Sequence, residues 1–366
     1  AGPPRARARA GGGVKSRVQA LDLVRAAAAI AVLTYHVFLY RLPNPSRPSR
    51  DGWAEYLVFE LRIGLVVFFV MSGYLLYRPL LKAYNDAPRT VSLGAYYRRR
   101  VVRIVPGYWL AIAGSIVLLW GVGETPGVRL PEASDLWLFL FFLQNYSRET
   151  LLTLDAPTWT LAVQAAFYLA FPVFLPVAAR LGRRAWTLPA ILVVAGVVWN
   201  WIAYASGWGP IARLSLPAML PYIALGMLIA HLPPPRTRRA VGALIAAGAV
   251  LAIANGLWHA LNAGPWALGV FRDLPGAIGY ALIIFACAQP AIGAAGWLRP
   301  AEALGRWSYG IFLWHLPLLL FMKGQGLMPG SAPLTWAVLV AVSAAVGAAE
   351  WRFVERPLLA RWRGGG

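Results

Sequence analysis

The dominant pattern along this chain is a series of apolar blocks, each about twenty residues long and separated by short polar segments rich in arginine. A helix of that length crosses the hydrocarbon core of a bilayer. Because the core offers no water to the backbone, each block must satisfy its own hydrogen bonds and is predicted to be a helix. The pattern predicts ten spans. They are residues 21–40, 56–77, 105–122, 157–179, 185–206, 214–232, 240–262, 274–296, 305–322 and 332–353.

An eleventh apolar block, residues 135–146, is shorter than the other ten. The distribution of Lys and Arg among the loops indicates whether this block crosses the membrane. If it is re-entrant or interfacial, most of the 34 Lys and Arg residues fall on one side of the membrane, as the positive-inside bias requires. If it crosses, most of this asymmetry disappears. We therefore predict an all-α membrane bundle over residues 21–357, with both termini cytoplasmic. Residues 1–20 would be a disordered basic N-terminus, 78–104 a basic cytoplasmic loop and 358–366 a cytoplasmic tail.

Composition agrees with a membrane protein and argues against a nucleic-acid partner. Hydrophobic residues make up 59% of the chain and charged residues 13%, about half the charged share of soluble domains. A net charge of +20 would suit a nucleic-acid-binding protein. Here, however, the positive residues lie in loops between apolar blocks, as membrane topology requires. The high Ala, Arg and Gly content favours a GC-rich bacterial source, and hence a multi-pass protein of the bacterial plasma membrane.

The first span contains the best candidate pair for chemistry, Arg25 and His36. They are eleven residues apart, close to three helical turns, and so share a face about 16 Å apart along the axis. Ionisable groups inside a membrane are costly and are candidates for function by default. A guanidinium that binds an anionic carrier and an imidazole that accepts a proton would suit acyl transfer. The spacing also allows a structural reading, with His36 packed against another helix and Arg25 extending to the interface.

A cluster of arginines precedes the third span: Arg98, Arg99, Arg100 and Arg103. On a helix, Arg99 and Arg103 would share a face, with Arg100 beside them. Such a cluster is either an anion-binding site or an anchor on anionic lipid. The spacing alone does not distinguish the two.

Other candidates are polar or aromatic groups in apolar surroundings. In the second span, Ser72 and Gly73 allow a close helix approach or a kink, and Arg62 is an intramembrane charge. The remaining candidates are Tyr35, Trp159, Gln164, Tyr168, Tyr309, His315 and Glu355. One cysteine and four scattered histidines do not form a metal-binding pattern, so we expect no metal site.

Taken together and in order, these segments resemble the acyltransferase-3 family of bacterial membrane O-acyltransferases. The resemblance covers residues 21–357. It rests on Arg25 with His36, on Phe68-Phe69 with Ser72-Gly73, on Arg98-Arg99-Arg100 with Arg103, on Trp159-Thr160-Leu161 with Gln164, on Ser308-Tyr309 with His315 and Pro317, and on Glu355 with Pro357.

The resemblance implies transfer of an acyl group, commonly acetyl, from acyl-CoA to a hydroxyl of a saccharide, glycolipid, lipid or secondary metabolite. It implies no permanently bound cofactor, acyl-CoA as co-substrate, and the lipid bilayer, the donor and the acceptor as partners. The implied catalytic positions are His36 as base, Gln164 and Glu355. The implied donor-binding positions are Arg25, Arg98, Arg99, Arg100, Arg103, Ser72 and Gly73. The implied acceptor or cavity-lining positions are Tyr35, Arg62, Trp159, Tyr168, Tyr309 and His315.

One position departs from the family pattern, because Gln164 stands where the family carries glutamate. Glutamine cannot act as an acid, a base or a counter-ion. Another carboxylate (Glu60, Asp155 or Glu355) could replace it, the usual glutamate could be structural, or the chain could be an inactive relative. The competing function is a transporter or flippase without chemistry, in which the intramembrane charges line a permeation path.

Overall fold

A computed structural model describes residues 12–42, 53–86, 92–122, 127–261, 264–288 and 299–363, and all regular secondary structure within these ranges is helical. The α-helices are α1 (Gly12–Arg41), α2 (Trp53–Glu60), α3 (Gly64–Asp86), α4 (Leu93–Trp120), α5 (Leu136–Leu140), α6 (Trp159–Leu181), α7 (Thr187–Ala205), α8 (Pro210–Arg213), α9 (Leu216–Ile229), α10 (Arg238–Ala260), α11 (Pro265–Phe271), α12 (Leu274–Cys287), α13 (Arg299–Gly324), α14 (Ala332–Glu350) and α15 (Arg356–Arg363). A π-helical turn, Trp351–Glu355, joins the last two.

The all-α membrane fold is confirmed, with eight described helices long and apolar enough to cross a bilayer. They match eight of the ten predicted spans. Of the other two, the span predicted at 274–296 contains α12, which has 14 residues. The span predicted at 305–322 lies within α13, a 26-residue helix with charged residues near both ends. The count of ten and the side of each terminus stay predictions.

Several helices extend further than the apolar blocks indicated. α1 begins at Gly12, so only residues 1–11 of the predicted disordered N-terminus lie outside the described ranges. α3 continues to Asp86, and α4 begins at Leu93. The predicted loop 78–104 is therefore largely helical. A helix can leave the hydrocarbon core without ending, and at α4 the Ser92 hydroxyl accepts a hydrogen bond from the Ala95 amide as an N-cap.

The short apolar block at 135–146 folds against the bundle. α5 has five residues, which is too short to cross a membrane. Beyond it, the buried side chains of Gln144 and Asn145 donate hydrogen bonds to the carbonyls of Thr158 and Trp159. Non-helical backbone at membrane depth is tolerated where it is buried in protein, and Gln144 and Asn145 are buried here.

Glycines allow the helices that carry the candidate residues to approach one another closely. A Cβ on Gly73 would overlap the Ile223 carbonyl oxygen, and a Cβ on Gly226 would overlap that of Val70, so α3 and α9 pack backbone against backbone. α13 meets α1 in the same way at Gly305. Small residues at such crossings are typical of helix association in membranes. These contacts fix the positions of α1, α3 and α13.

Candidate active site

The first of two adjacent cavities, here called the arginine cavity, has a volume of about 370 Å³ and collects side chains from five helices. Its polar lining is Arg25, Ser72, Arg100, Arg103, Thr160, Gln164, Tyr168, Ser308 and Tyr309. Residues from five of the six segments that carried the family resemblance therefore meet in one place, although they are spread over most of the chain.

Guanidinium groups dominate the charge of the arginine cavity. Arg25 is paired with Asp22, with 2.7 Å between Nη1 and Oδ1. The Arg100 guanidinium lies over the rings of Tyr96 and Tyr168, at 5.8 and 5.5 Å from their centroids. Within the described ranges, neither Arg100 nor Arg103 forms an ion pair with a carboxylate. A cavity with two such guanidiniums is suited to phosphate oxygens.

Three predicted donor-binding residues lie elsewhere. Arg98 and Arg99 are exposed on α4 and do not line the arginine cavity. The cavity receives Arg100 and Arg103 because residues three apart share a helical face, so the predicted grouping of Arg99 with Arg103 is not the one observed. Gly73 is buried in the contact between α3 and α9, whereas its neighbour Ser72 lines the cavity.

Gln164 lines the arginine cavity as a buried amide, 7% exposed, and its Nε2 atom has no hydrogen-bond partner among the described residues. Glu60, Asp155 and Glu355, the carboxylates that could have replaced a glutamate here, do not line this cavity. Glu355 is buried at the end of the π-helical turn, outside both cavities. The unpaired amide hydrogens of Gln164 are thus available to a ligand oxygen.

The second cavity, here called the histidine cavity, has a volume of about 540 Å³. Its polar and aromatic lining includes Tyr35, His36, Tyr40, Arg62, Arg129, Trp159, Tyr222, Arg272 and Asp273. Tyr35, His36, Arg62 and Trp159 were predicted from the sequence. The other five were not proposed as site residues.

His36 meets a second histidine, His315 on α13, and carbonyl contacts fix the proton positions of both rings. Nδ1 of His36 lies 2.9 Å from the Val32 carbonyl oxygen, and Nδ1 of His315 lies 2.7 Å from that of Phe312. Because a carbonyl oxygen only accepts, each Nδ1 carries hydrogen. Nε2 of His315, which is 3.1 Å from Nδ1 of His36, is therefore the acceptor in that contact.

The lone pair on Nε2 of His36 is left free by this arrangement. No hydrogen bond from another described residue reaches that atom, and His36 lines the histidine cavity. An imidazole with Nδ1–H held by neighbours and Nε2 unprotonated has the tautomer that a general base requires.

Arg62 and Asp273 form a bidentate ion pair at the histidine cavity, with both N–O distances 2.8 Å. Although burial alone would raise the pKa of Asp273, the charge and hydrogen bonds of Arg62 lower it to about 2. Glu60, His259 and Asp273 offer ligand atoms within 4.8 Å of one another. Both Asp273 oxygens already accept hydrogen bonds from Arg62, however, which disfavours a cation there.

The two cavities share a wall. Leu65 and Phe69 line both of them. α1 contributes Arg25 to the arginine cavity and His36 to the histidine cavity. The guanidinium groups and the imidazole are therefore neighbours separated by apolar side chains.

Sequence reasoning missed Arg129, Arg272 and Asp273 as site residues. The two arginines entered the prediction only as positive charges that set the topology. Asp273 carried a usable signal, since it is one of only 14 acidic residues in the chain and stands directly before an apolar span. A carboxylate at that depth must find a cation, and Arg62 was the intramembrane cation in need of one.

Comparison with known proteins gives a consistent picture. The peptidoglycan O-acetyltransferase OatA of Listeria monocytogenes is 26% identical over 93% of this chain and 56% of its own length. OatA of Staphylococcus aureus is 22% identical over 92% of this chain, and also 56% of its own length. The chain thus spans little more than half of these relatives. The exopolysaccharide production protein ExoZ of Rhizobium meliloti is 29% identical over 82% of this chain and 90% of its own length.

No solved structure matches the chain. The family model described as an acyltransferase domain matches residues 18–349, which include all of the described residues that line the two cavities. This chain belongs to the acyltransferase-3 family.

Proposed function

We propose that the protein is a membrane O-acyltransferase that moves an acyl group, such as acetyl, from cytoplasmic acyl-CoA to a hydroxyl of a saccharide. One observation carries the proposal. A single helix, α1, places Arg25 in a cavity that also contains Arg100 and Arg103. The same helix places His36, whose Nε2 accepts no hydrogen bond from the described residues, in the cavity next to it.

The arginine cavity is the proposed donor site. Arg100 and Arg103 lie on the arginine-rich part of α4, which the charge bias assigns to the cytoplasm, and their guanidiniums suit the phosphates of CoA. Leu65 and Phe69 would then be the wall that the thioester end must pass to reach His36. Coenzyme A would remain in the arginine cavity while its acyl group approaches the base.

The histidine cavity is the proposed acceptor site. An acceptor hydroxyl gives its proton to Nε2 of His36 as its oxygen attacks the thioester carbonyl carbon. The carbon–sulfur bond breaks, the sulfur leaves as a thiolate, and His36 returns the proton to it, so that an ester and free CoA result. Contact with His315 keeps the His36 ring oriented for this step.

A saccharide is the acceptor class that the comparisons support best. The names of OatA and ExoZ refer to peptidoglycan and exopolysaccharide, respectively. Four aromatic side chains with polar tips line the histidine cavity, namely Tyr35, Tyr40, Trp159 and Tyr222. Rings with polar tips bury apolar area while offering hydrogen bonds, a combination that suits a sugar face and its hydroxyls.

The test is turnover of radiolabelled acetyl-CoA by detergent-purified protein, with and without added saccharide. His36→Ala should abolish both transfer and donor hydrolysis. The matched control is His231→Ala, because His231 lies outside both cavities. Turnover that survives His36→Ala would refute His36 as the base, and failure to bind any acyl-CoA would favour a transporter instead.

A further inference from the structure

The histidine cavity has an excess of positive charge. Of its described lining residues, three carry a guanidinium, namely Arg62, Arg129 and Arg272, and only Asp273 carries a carboxylate. Asp273 is already held by both Arg62 nitrogens at 2.8 Å. The net charge of the lining is therefore positive, and it is contributed by Arg129 and Arg272.

Within the described residues, neither of these two arginines forms an ion pair of its own. The side chain of Arg129 forms no hydrogen bond or ion pair within the described part of the chain, and it is exposed. Arg272 donates from Nη1 to the Arg213 carbonyl oxygen at 2.6 Å, which fixes the guanidinium, and it acts electrostatically on the Asp273 carboxylate that Arg62 already binds. Three guanidiniums with one carboxylate between them give the cavity lining a positive potential that attracts anions.

The backbone supports the same reading. Arg272 has φ +50° and ψ −118°, and Leu152, also in the cavity lining, has φ +61°. Non-glycine residues rarely adopt positive φ, which costs about 1–3 kcal/mol and is concentrated at functional sites. The chain thus tolerates an unfavourable conformation at a residue that lines this cavity.

Arg129 is also near the proposed base. The His36 and Tyr40 rings lie 6.2 Å apart, and Arg129 is close enough to Tyr40 to act electrostatically on its hydroxyl. An anionic group on an acceptor could therefore contact Arg129 while a hydroxyl of the same molecule lies at Nε2 of His36. This arrangement would select the acceptor by its charge as well as by its shape.

We infer that the histidine cavity takes an anionic saccharide, one that carries a carboxylate or phosphate, with Arg129 and Arg272 binding the anionic group. This inference rests on the proposed function for the identity of the cavity as the acceptor site. It adds a specificity that the family resemblance and the names of the relatives do not contain.

The experiment measures sugar binding directly, so it does not depend on turnover. Purified protein is titrated with methyl β-D-glucoside, methyl β-D-glucuronide and glucose 1-phosphate, which are neutral, carboxylate-bearing and phosphate-bearing. His36-dependent hydrolysis of acetyl-CoA is measured on the same samples. We expect the anionic sugars to bind roughly ten- to a hundredfold more tightly than the neutral one, with an advantage that shrinks as salt is added.

Arg129→Gln should remove most of that advantage, and Arg129→Gln with Arg272→Gln should remove it entirely. Arg129 makes no side-chain hydrogen bond in the described structure, so the single variant tests the charge even if the double variant misfolds. Arg148→Gln is the matched control, since Arg148 is an exposed arginine that lines a different groove.

Two outcomes would overturn the inference. Equal binding of the three sugars by a protein whose acetyl-CoA hydrolysis depends on His36 would refute the charge selectivity and leave the proposed function standing. Preferential binding of anionic sugars that Arg129→Gln does not reduce would place the anion elsewhere. If the wild-type protein binds anionic sugars selectively but shows no His36-dependent hydrolysis of acetyl-CoA, the proposed reaction is refuted and the charge selectivity stands. A preference for one anionic sugar over the other distinguishes carboxylate from phosphate.

Discussion

Replacement of His315 separates a residue that positions the base from the base itself. His315 does not line the histidine cavity, and its Nε2 accepts from Nδ1 of His36 at 3.1 Å. His315→Ala removes this acceptor, but the Val32 carbonyl oxygen, 2.9 Å from the same Nδ1, keeps the hydrogen satisfied. The tautomer of His36 should therefore survive, while its ring loses one of two orienting contacts.

The expected loss of kcat differs between His315→Ala and His36→Ala, because one variant loses an orienting hydrogen bond and the other loses the base. Loss of one neutral hydrogen bond is worth about 0.5–1.5 kcal/mol, or up to about tenfold in rate. Loss of a general base costs about a hundredfold or more. His315→Ala should thus lower kcat by up to about tenfold, and His36→Ala by at least ten times more than that. KM for acetyl-CoA should stay near the wild-type value in His315→Ala, because the donor would bind in the other cavity.

The assay is steady-state release of CoA from acetyl-CoA, with kcat and KM determined separately. His315→Gln is the matched variant, since its Oε1 can accept a hydrogen bond near the place of Nε2 and should restore part of kcat. A loss in His315→Ala as large as that in His36→Ala would refute the division of roles. Failure of His315→Gln to recover any activity would refute the hydrogen bond as the cause.

Three further predictions concern Arg103, Gln164 and Asp155. Arg103→Ala should raise KM for acetyl-CoA by roughly ten- to a hundredfold through the loss of a charged hydrogen bond to phosphate, whereas Arg99→Ala, outside the cavity, should leave KM unchanged. Gln164→Glu should raise turnover by about tenfold or more if a carboxylate there is catalytic, and unchanged turnover would make the position structural. Burial of Asp155, whose two oxygens have no hydrogen bond, raises its pKa well above the usual value. Since stability then falls as pH rises through that pKa, Asp155→Asn should increase the melting temperature more at pH 8 than at pH 4. An equal shift at both pH values in thermal unfolding would contradict this.

The sequence could predict the features that depend on residues close together in the chain. Apolar blocks of bilayer length identified the spans, and helical periodicity put Arg25 and His36 on one face of α1. The ends of the helices could be predicted less well, because α1, α3 and α4 continue past the apolar residues that marked the membrane. The choice of Arg100 over Arg99 as a cavity residue depends on the rotation of α4, which is set by its neighbours.

The pattern of hydrophobic and polar residues could not predict contacts between distant segments. His36 and His315 are separated by 279 positions, and their contact depends on the glycine-mediated approach of α13 to α1. The pairing of Arg62 with Asp273 spans 211 positions. Each partner was visible as an isolated polar group, but nothing in the periodicity indicates which groups meet. Packing alone determines that.

The apolar wall formed by Leu65 and Phe69 has an electrical consequence. A membrane potential acts on charge that crosses the insulating part of the bilayer, at about 2.3 kcal/mol per elementary charge for each 100 mV. In the proposed reaction the polyanionic coenzyme stays on one side of this wall, and a charged acceptor stays on the other. The acyl group passes in one direction, and the proton that His36 returns to the thiolate passes in the other, so no net charge crosses the wall. The potential would therefore do no net work on the exchange, and the rate of transfer should be insensitive to voltage.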